Sequence, residues 1–74
     1  MKITVKLFAG LRAERFDEKG FDIDGVHDID HLLKMIDLKR EDVTIIFING
    51  RHAGYDTVIS DGDIVALFPP IGGG

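Results

Sequence analysis

The group in this sequence best placed for covalent chemistry is the carboxylate that closes Gly72-Gly73-Gly74. A terminal carboxyl has an ordinary pKa of ~3.3–3.7, so near neutral pH it is an anion and a poor electrophile. Acyl chemistry on it requires activation from outside. The sequence has no Gly-rich loop ending in Lys-Ser/Thr, and Gly10, Gly20 and Gly25 stand alone, so the sequence itself offers no phosphate-binding loop for such activation. Glycine has no Cβ, which lets these last residues lie where a side chain would clash. The approach to them is stiff: Phe68 is followed by Pro69 and Pro70, which lack an N–H for a ladder and fix φ, then by Ile71. From Pro69 to Gly74 the backbone reaches up to roughly 20 Å at ~3.3–3.6 Å per residue. A frayed terminus and a functional tail both fit this stretch taken alone.

Other reactive types are sparse. There is no cysteine, hence no disulfide, thiolate ligand or nucleophilic thiol. His27 and His31 are four apart and could share a helix face as metal ligands, but His52 is the only other histidine and solvated side chains are the plainer reading. Asp61 and Asp63 flank Gly62 in a turn, where Asp61 can bond its own backbone and Gly62 can take positive φ. Asp22 and Asp24 are the solvent side of a strand. No Ser/His/Asp constellation can be assembled, so the protein reads as a substrate of enzymes or the non-catalytic half of one, and no bound metal or cofactor is expected.

The elements that must hold this tail follow from periodicity. Ile3, Val5 and Leu7 alternate with polar residues and share one face of a first strand. A short helical turn is expected around Arg12 to Phe16, and a second strand over Phe21-Asp22-Ile23-Asp24 that can pair with the first. Asp28 is a helix N-cap, with Ile29, Leu32, Leu33 and Ile36 at i, i+3, i+4 and i+7. Val43 to Ile48 reads as a strand, Asn49-Gly50 as a type I′ turn, Arg51 to Ala53 as its return, and Ile64 to Phe68 as the last strand. The order β-β-α-β-β-β gives an α+β domain, one helix across a mixed sheet. Residues 1–68 form the domain and 69–74 a flexible C-terminal tail.

Composition agrees with that plan. A length of 74 residues suits one small domain, and 45% hydrophobic with 30% charged residues places it among globular rather than disordered sequences. The formal net charge of −4, without a basic stripe, argues against nucleic acid or anionic lipid as the main partner. No apolar run approaches the ~20 residues of a membrane span, and no signal peptide opens the sequence, so the expected compartment is cytoplasmic.

Val5-Lys6-Leu7-Phe8-Ala9, Asn49-Gly50, Ile59-Ser60-Asp61-Gly62-Asp63-Ile64-Val65 and Phe68-Pro69-Pro70-Ile71-Gly72-Gly73-Gly74, in that order, resemble the ubiquitin-like sulfur-carrier family, over nearly the whole length. Its members include the small subunit of molybdopterin synthase (MoaD-like) and the thiamine sulfur carrier (ThiS-like). Phe-Pro-Pro looks more like the former, whereas the short Asp37 to Asp42 segment departs from it. The resemblance implies a β-grasp fold. It implies that an E1-like enzyme adenylates Gly74 with ATP bound in its own site, and that the product becomes a thiocarboxylate. Gly73 is its required neighbour, and a synthase large subunit or another acceptor takes the sulfur. Conjugation to target proteins through Gly74 is the alternative use of the same tail.

Such a domain needs a docking surface. If Ile46 and Ile48 point to the helix, Ile45 and Phe47 point outward, joined on that face by Ile64, Ala66 and Phe68. Partner contact is therefore expected at Ile45, Phe47, Phe68, Pro69, Pro70, Ile71 and Gly72. A loop over Leu11 to Phe16 covering the face is the competing arrangement.

Overall fold

The computed structural model describes residues 1–13, 15–25 and 27–70. Among the described residues the strands are β1 (Lys2–Leu7), β2 (Glu18–Asp22), β3 (His27–Asp28), β4 (Ile45–Ile48), β5 (Arg51–Ala53), β6 (Val58–Ile59) and β7 (Ile64–Phe68), with one α-helix, α1 (Ile29–Met35). Five strands form a mixed sheet in the order β2-β1-β7-β4-β5, and β3 pairs with β6 beside it. β1 and β7 run parallel at the centre, Val5 opposite Val65 and Leu7 opposite Leu67; the other pairings are antiparallel. This is the α+β, ubiquitin-like β-grasp arrangement.

Alternation decides which face is dry. Ile3, Val5, Leu7, Ile46, Val65 and Leu67 are buried on the helix side, against Ile29, Leu32 and Leu33 of α1 and the loop residues Leu38 and Val43. Among the described residues no polar or charged side chain is buried, so apolar burial and backbone ladders carry the core.

The helix begins as its sequence predicts and ends sooner. The Asp28 carboxylate accepts the His31 N–H at 2.9 Å, capping the first turn. The stripe runs through Leu33, but Ile36 is already the C-cap and only half-buried. Asp37 takes the left-handed conformation (φ 61°), and Leu38 N–H returns to Leu33 O at 2.8 Å while Asp37 N–H reaches Lys34 O at 3.2 Å. That is a Schellman closure, with the buried Leu33 and Leu38 as its apolar contact and aspartate where glycine is usual.

Four features differ from expectation. The turn predicted over Arg12 to Phe16 is a 3₁₀ turn over Ala9–Arg12, because Leu11 must reverse into the core directly after β1. The second strand is Glu18–Asp22 rather than Phe21 to Asp24. Its position is set by the β1 backbone, Lys6 opposite Glu18 and Lys2 opposite Asp22, which needs a ladder partner whatever side groups that partner bears. Ile23 still enters the core, its N–H on Met1 O at 2.8 Å. The strand expected from Val43 starts at Ile45. The pair β3–β6 joins residues 27–28 to 58–59, two-residue strands too short to show periodicity.

A candidate docking face at the base of the tail

β7 presents Ile64, Ala66 and Phe68 on the face opposite the helix, as its parity requires. Across the sheet Ala66 lies between Lys6 and Phe47, and Phe47 opposite His52. One step along, Phe68 lies opposite Ile45. Aromatic contacts tie these positions together. The Phe8 and Phe68 rings stack at 4.4 Å between centroids with 9° between planes. Phe47 meets Phe68 edge-on at 5.9 Å, and His52 meets Phe47 in the same manner at 5.6 Å. Such geometry suits the ring quadrupoles, and it leaves apolar area in water: Phe8 is 36% and Ile64 43% exposed.

The backbone fixes where the tail leaves this face. Phe8 N–H donates to Leu67 O at 3.2 Å and Thr44 N–H to Phe68 O at 3.0 Å, so β7 is held on both sides up to its last residue. Pro69 and Pro70 then give no further ladder donor. Pro69 is half-buried and Pro70 exposed. Ile45, Phe47, Phe68, Pro69 and Pro70 are thus brought together at one end of the sheet. Ile71, Gly72, Gly73 and Gly74 lie outside the described residues.

The two large apolar side chains of the competing loop, Leu11 and Phe16, do not cover this face. Leu11 is buried in the core and Phe16 packs edge-on against Phe21, which shares the helix side with Ile3. Phe8, by contrast, belongs to the outer face and was missing from the expected surface. The signal was present: Phe8 continues the outward parity of Lys2, Thr4 and Lys6 one step past the end of β1. His52 joins for the same reason, through its register with Phe47.

The remaining candidates are accounted for locally. The His27 and His31 rings are 5.9 Å apart, but His27 Nε2 is engaged by Asp24 O and His31 Nδ1 by the Asp28 carboxylate at 2.7 Å. No group of three potential ligands exists among the described residues. The His31 N–H, and next its side chain, hold the Asp28 carboxyl below the usual carboxylate range. Asp30 is held low by the Arg40 guanidinium, which it meets through both oxygens, and Arg40 is raised in return. Asp61 does not bond its own turn: it accepts the Lys2 N–H at 2.6 Å, and Gly62 N–H returns to Lys2 O. Asp63 closes the turn instead, taking Ser60 N–H at 2.8 Å, with Gly62 at φ 86° as its type allows.

The helix α1 laid across a mixed sheet, with an apolar outer face reaching Phe68-Pro69-Pro70, defines a β-grasp protein. Residues 5–74 match the model of the ThiS family, and the protein belongs to that family of ubiquitin-like sulfur carriers. Among solved structures it is similar to a Pyrococcus furiosus protein assigned as molybdopterin converting factor subunit 1, with 31% identity, TM-score 0.76 and coverage of 96% of this chain and 99% of that one. It is similar to small archaeal modifier protein 1 of Haloferax volcanii, at 27% identity, TM-score 0.76 and 95% and 98% coverage. It shares its fold with a polypeptide in the complex of subunits 1 and 2 of the molybdopterin-converting factor of Helicobacter pylori, at 22% identity, TM-score 0.65 and 100% coverage of both. Among curated proteins, sequence comparison finds no match.

Proposed function

We propose that this protein carries sulfur as a thiocarboxylate on Gly74, for molybdopterin synthesis, and that the outer face around Phe8, Phe47 and Phe68 is the surface by which partners grip it. The observation that carries this reading is the continuity of that face with Phe68-Pro69-Pro70: a partner bound there sits at the root of the tail. In the reaction the Gly74 carboxylate attacks the α-phosphorus of ATP in an E1-like enzyme and pyrophosphate leaves. A sulfide equivalent then displaces AMP from the acyl carbon. Glycine at 72 to 74 lets the tail thread a narrow channel, and contact through the outer face offsets the ordering entropy. A synthase large subunit is the expected acceptor of the sulfur. The likeness to the Pyrococcus subunit and to the Helicobacter complex supports the molybdenum branch.

The likeness to the Haloferax modifier favours a second use of the same terminus, amide formation with lysines of target proteins. The family match keeps thiamine-type sulfur transfer as a close variant of the first. Incubation with an E1-like enzyme, ATP and a sulfur donor distinguishes them. Exchange of one oxygen for sulfur in the intact mass is the expected result, followed by sulfur transfer on adding synthase large subunit and molybdopterin precursor. An unchanged mass with several cognate enzymes would count against a carrier. High-mass conjugates in cells that vanish without Gly73 and Gly74 would favour the modifier.

A further inference from the structure

The β4–β5 turn holds a second reactive position, independent of the tail. Asn49-Gly50 adopts the type I′ conformation, with φ of 52° and 80°. Asn49 also stands in the ladder to β7: its N–H donates to Ile64 O at 2.8 Å, and its side-chain oxygen, in place of a backbone carbonyl, accepts Ile64 N–H at 2.9 Å. The side-chain nitrogen donates to the Asp63 carboxylate at 2.8 Å, whose other oxygen holds Ser60 N–H. Both polar atoms of the amide are therefore engaged.

An Asn-Gly step is chemically open to attack, because Gly50 has no side group to shield its backbone nitrogen. We propose that Asn49 is a latent deamidation site held shut by the fold, with Asp63 as the latch. In the reaction the Gly50 backbone nitrogen bonds to Cγ of Asn49, and the bond from Cγ to Nδ2 breaks. The proton of the Gly50 nitrogen leaves with the amide as ammonia, giving a cyclic imide. Water then opens the ring to aspartate or isoaspartate. Turning Cγ toward Gly50 requires release of both Ile64 and Asp63, so the reaction waits on local opening of this corner. Once formed, the new carboxylate has no hydrogen to give Asp63 and faces it as a second anion. The latch cannot close as before, and the start of β7 loosens.

The test is to incubate the full-length protein in mildly alkaline buffer, folded and in denaturant, and to follow the peptide spanning residues 49 and 50 by mass and by isoaspartyl methyltransferase labelling. The folded protein is expected to react more slowly by roughly ten-fold or more. Asp63→Ala, which leaves only the Ile64 bond on the Asn49 amide, should lose a measurable part of that protection, whereas Asp63→Asn, whose one side-chain oxygen can still accept from Asn49 at the expense of Ser60, should lose less of it. Equal rates in the two states, or an unchanged folded-state rate in Asp63→Ala, would overturn the proposal. Should Asp63→Ala fail to fold, Asn49→Asp provides the second reading. It should lower the melting temperature, and adding Asp63→Asn should recover part of the loss; an Asn49→Asp variant as stable as wild type would refute the latch.

Discussion

Phe68 faces the outer side of β7 while its neighbour Leu67 is fully buried, so one strand step separates the proposed docking surface from the core. Substitution on the two sides should therefore read out differently. Phe47→Ala is expected to weaken binding of an adenylating or synthase partner by about 2 kcal/mol or more if docking uses this face, as truncation of a central aromatic anchor does. Titration calorimetry checks it; unchanged affinity would move the interface elsewhere. Phe8→Ala leaves the Phe8–Leu67 backbone bond intact and removes the ring stack, a contact of roughly 0.5–1.5 kcal/mol beyond area burial, measurable by urea unfolding. Deleting Gly74 should abolish thiocarboxylate formation and leave the melting temperature unchanged, because glycine brings no side group to a core. A large fall in melting temperature would contradict a working tail.

The short helix depends on its ends. Asp37 occupies a left-handed position where a Cβ is unfavourable, and its backbone carbonyl also accepts Arg15 at 3.1 Å, a bond glycine would retain. Asp37→Gly is therefore expected to stabilise the protein by ~0.5–1 kcal/mol in chemical denaturation, and a destabilised variant would refute the Schellman assignment. Leu33 is 1% exposed and anchors both the stripe and that closure. Leu33→Ala should cost ~2–5 kcal/mol, a large fraction of the stability of a domain this size, and near-wild-type stability would contradict the helix packing.

For the whole molecule, the dry core means that pH acts through surface carboxylates. Asp28 and Asp30 are held below the ordinary carboxylate range when folded. Their stabilisation is therefore present above the unfolded-state pKa and lost as pH falls through the lower folded values. Melting temperature should decline in that acidic window, and Asp30→Asn, which weakens the Arg40 pair, should flatten the decline there. An unaltered profile would show that the pair adds nothing, as holds for many exposed ion pairs. At the opposite corner, Asn49, Asp63 and Asp61 bind turn, loop and first strand through backbone groups, a stitching that closes the sheet where the tail does not leave.

Local rules were enough for the sequence to determine the strands Lys2–Leu7 and Ile64–Phe68, the Asp28 cap, the Asn49-Gly50 turn and the inward and outward sets of β7, because alternation and turn chemistry act between near neighbours. The same parity pointed to Ile45, Phe47 and Phe68 as an exposed set. Tertiary structure alone decided that Glu18–Asp22 is the second strand, that residues 27–28 pair with 58–59, and that Phe8 stacks on Phe68. It also decided that Asp61 serves Lys2 rather than its own turn. Each of these unites residues far apart in the sequence, where the partner's unpaired backbone or exposed ring sets the outcome and no local pattern records it.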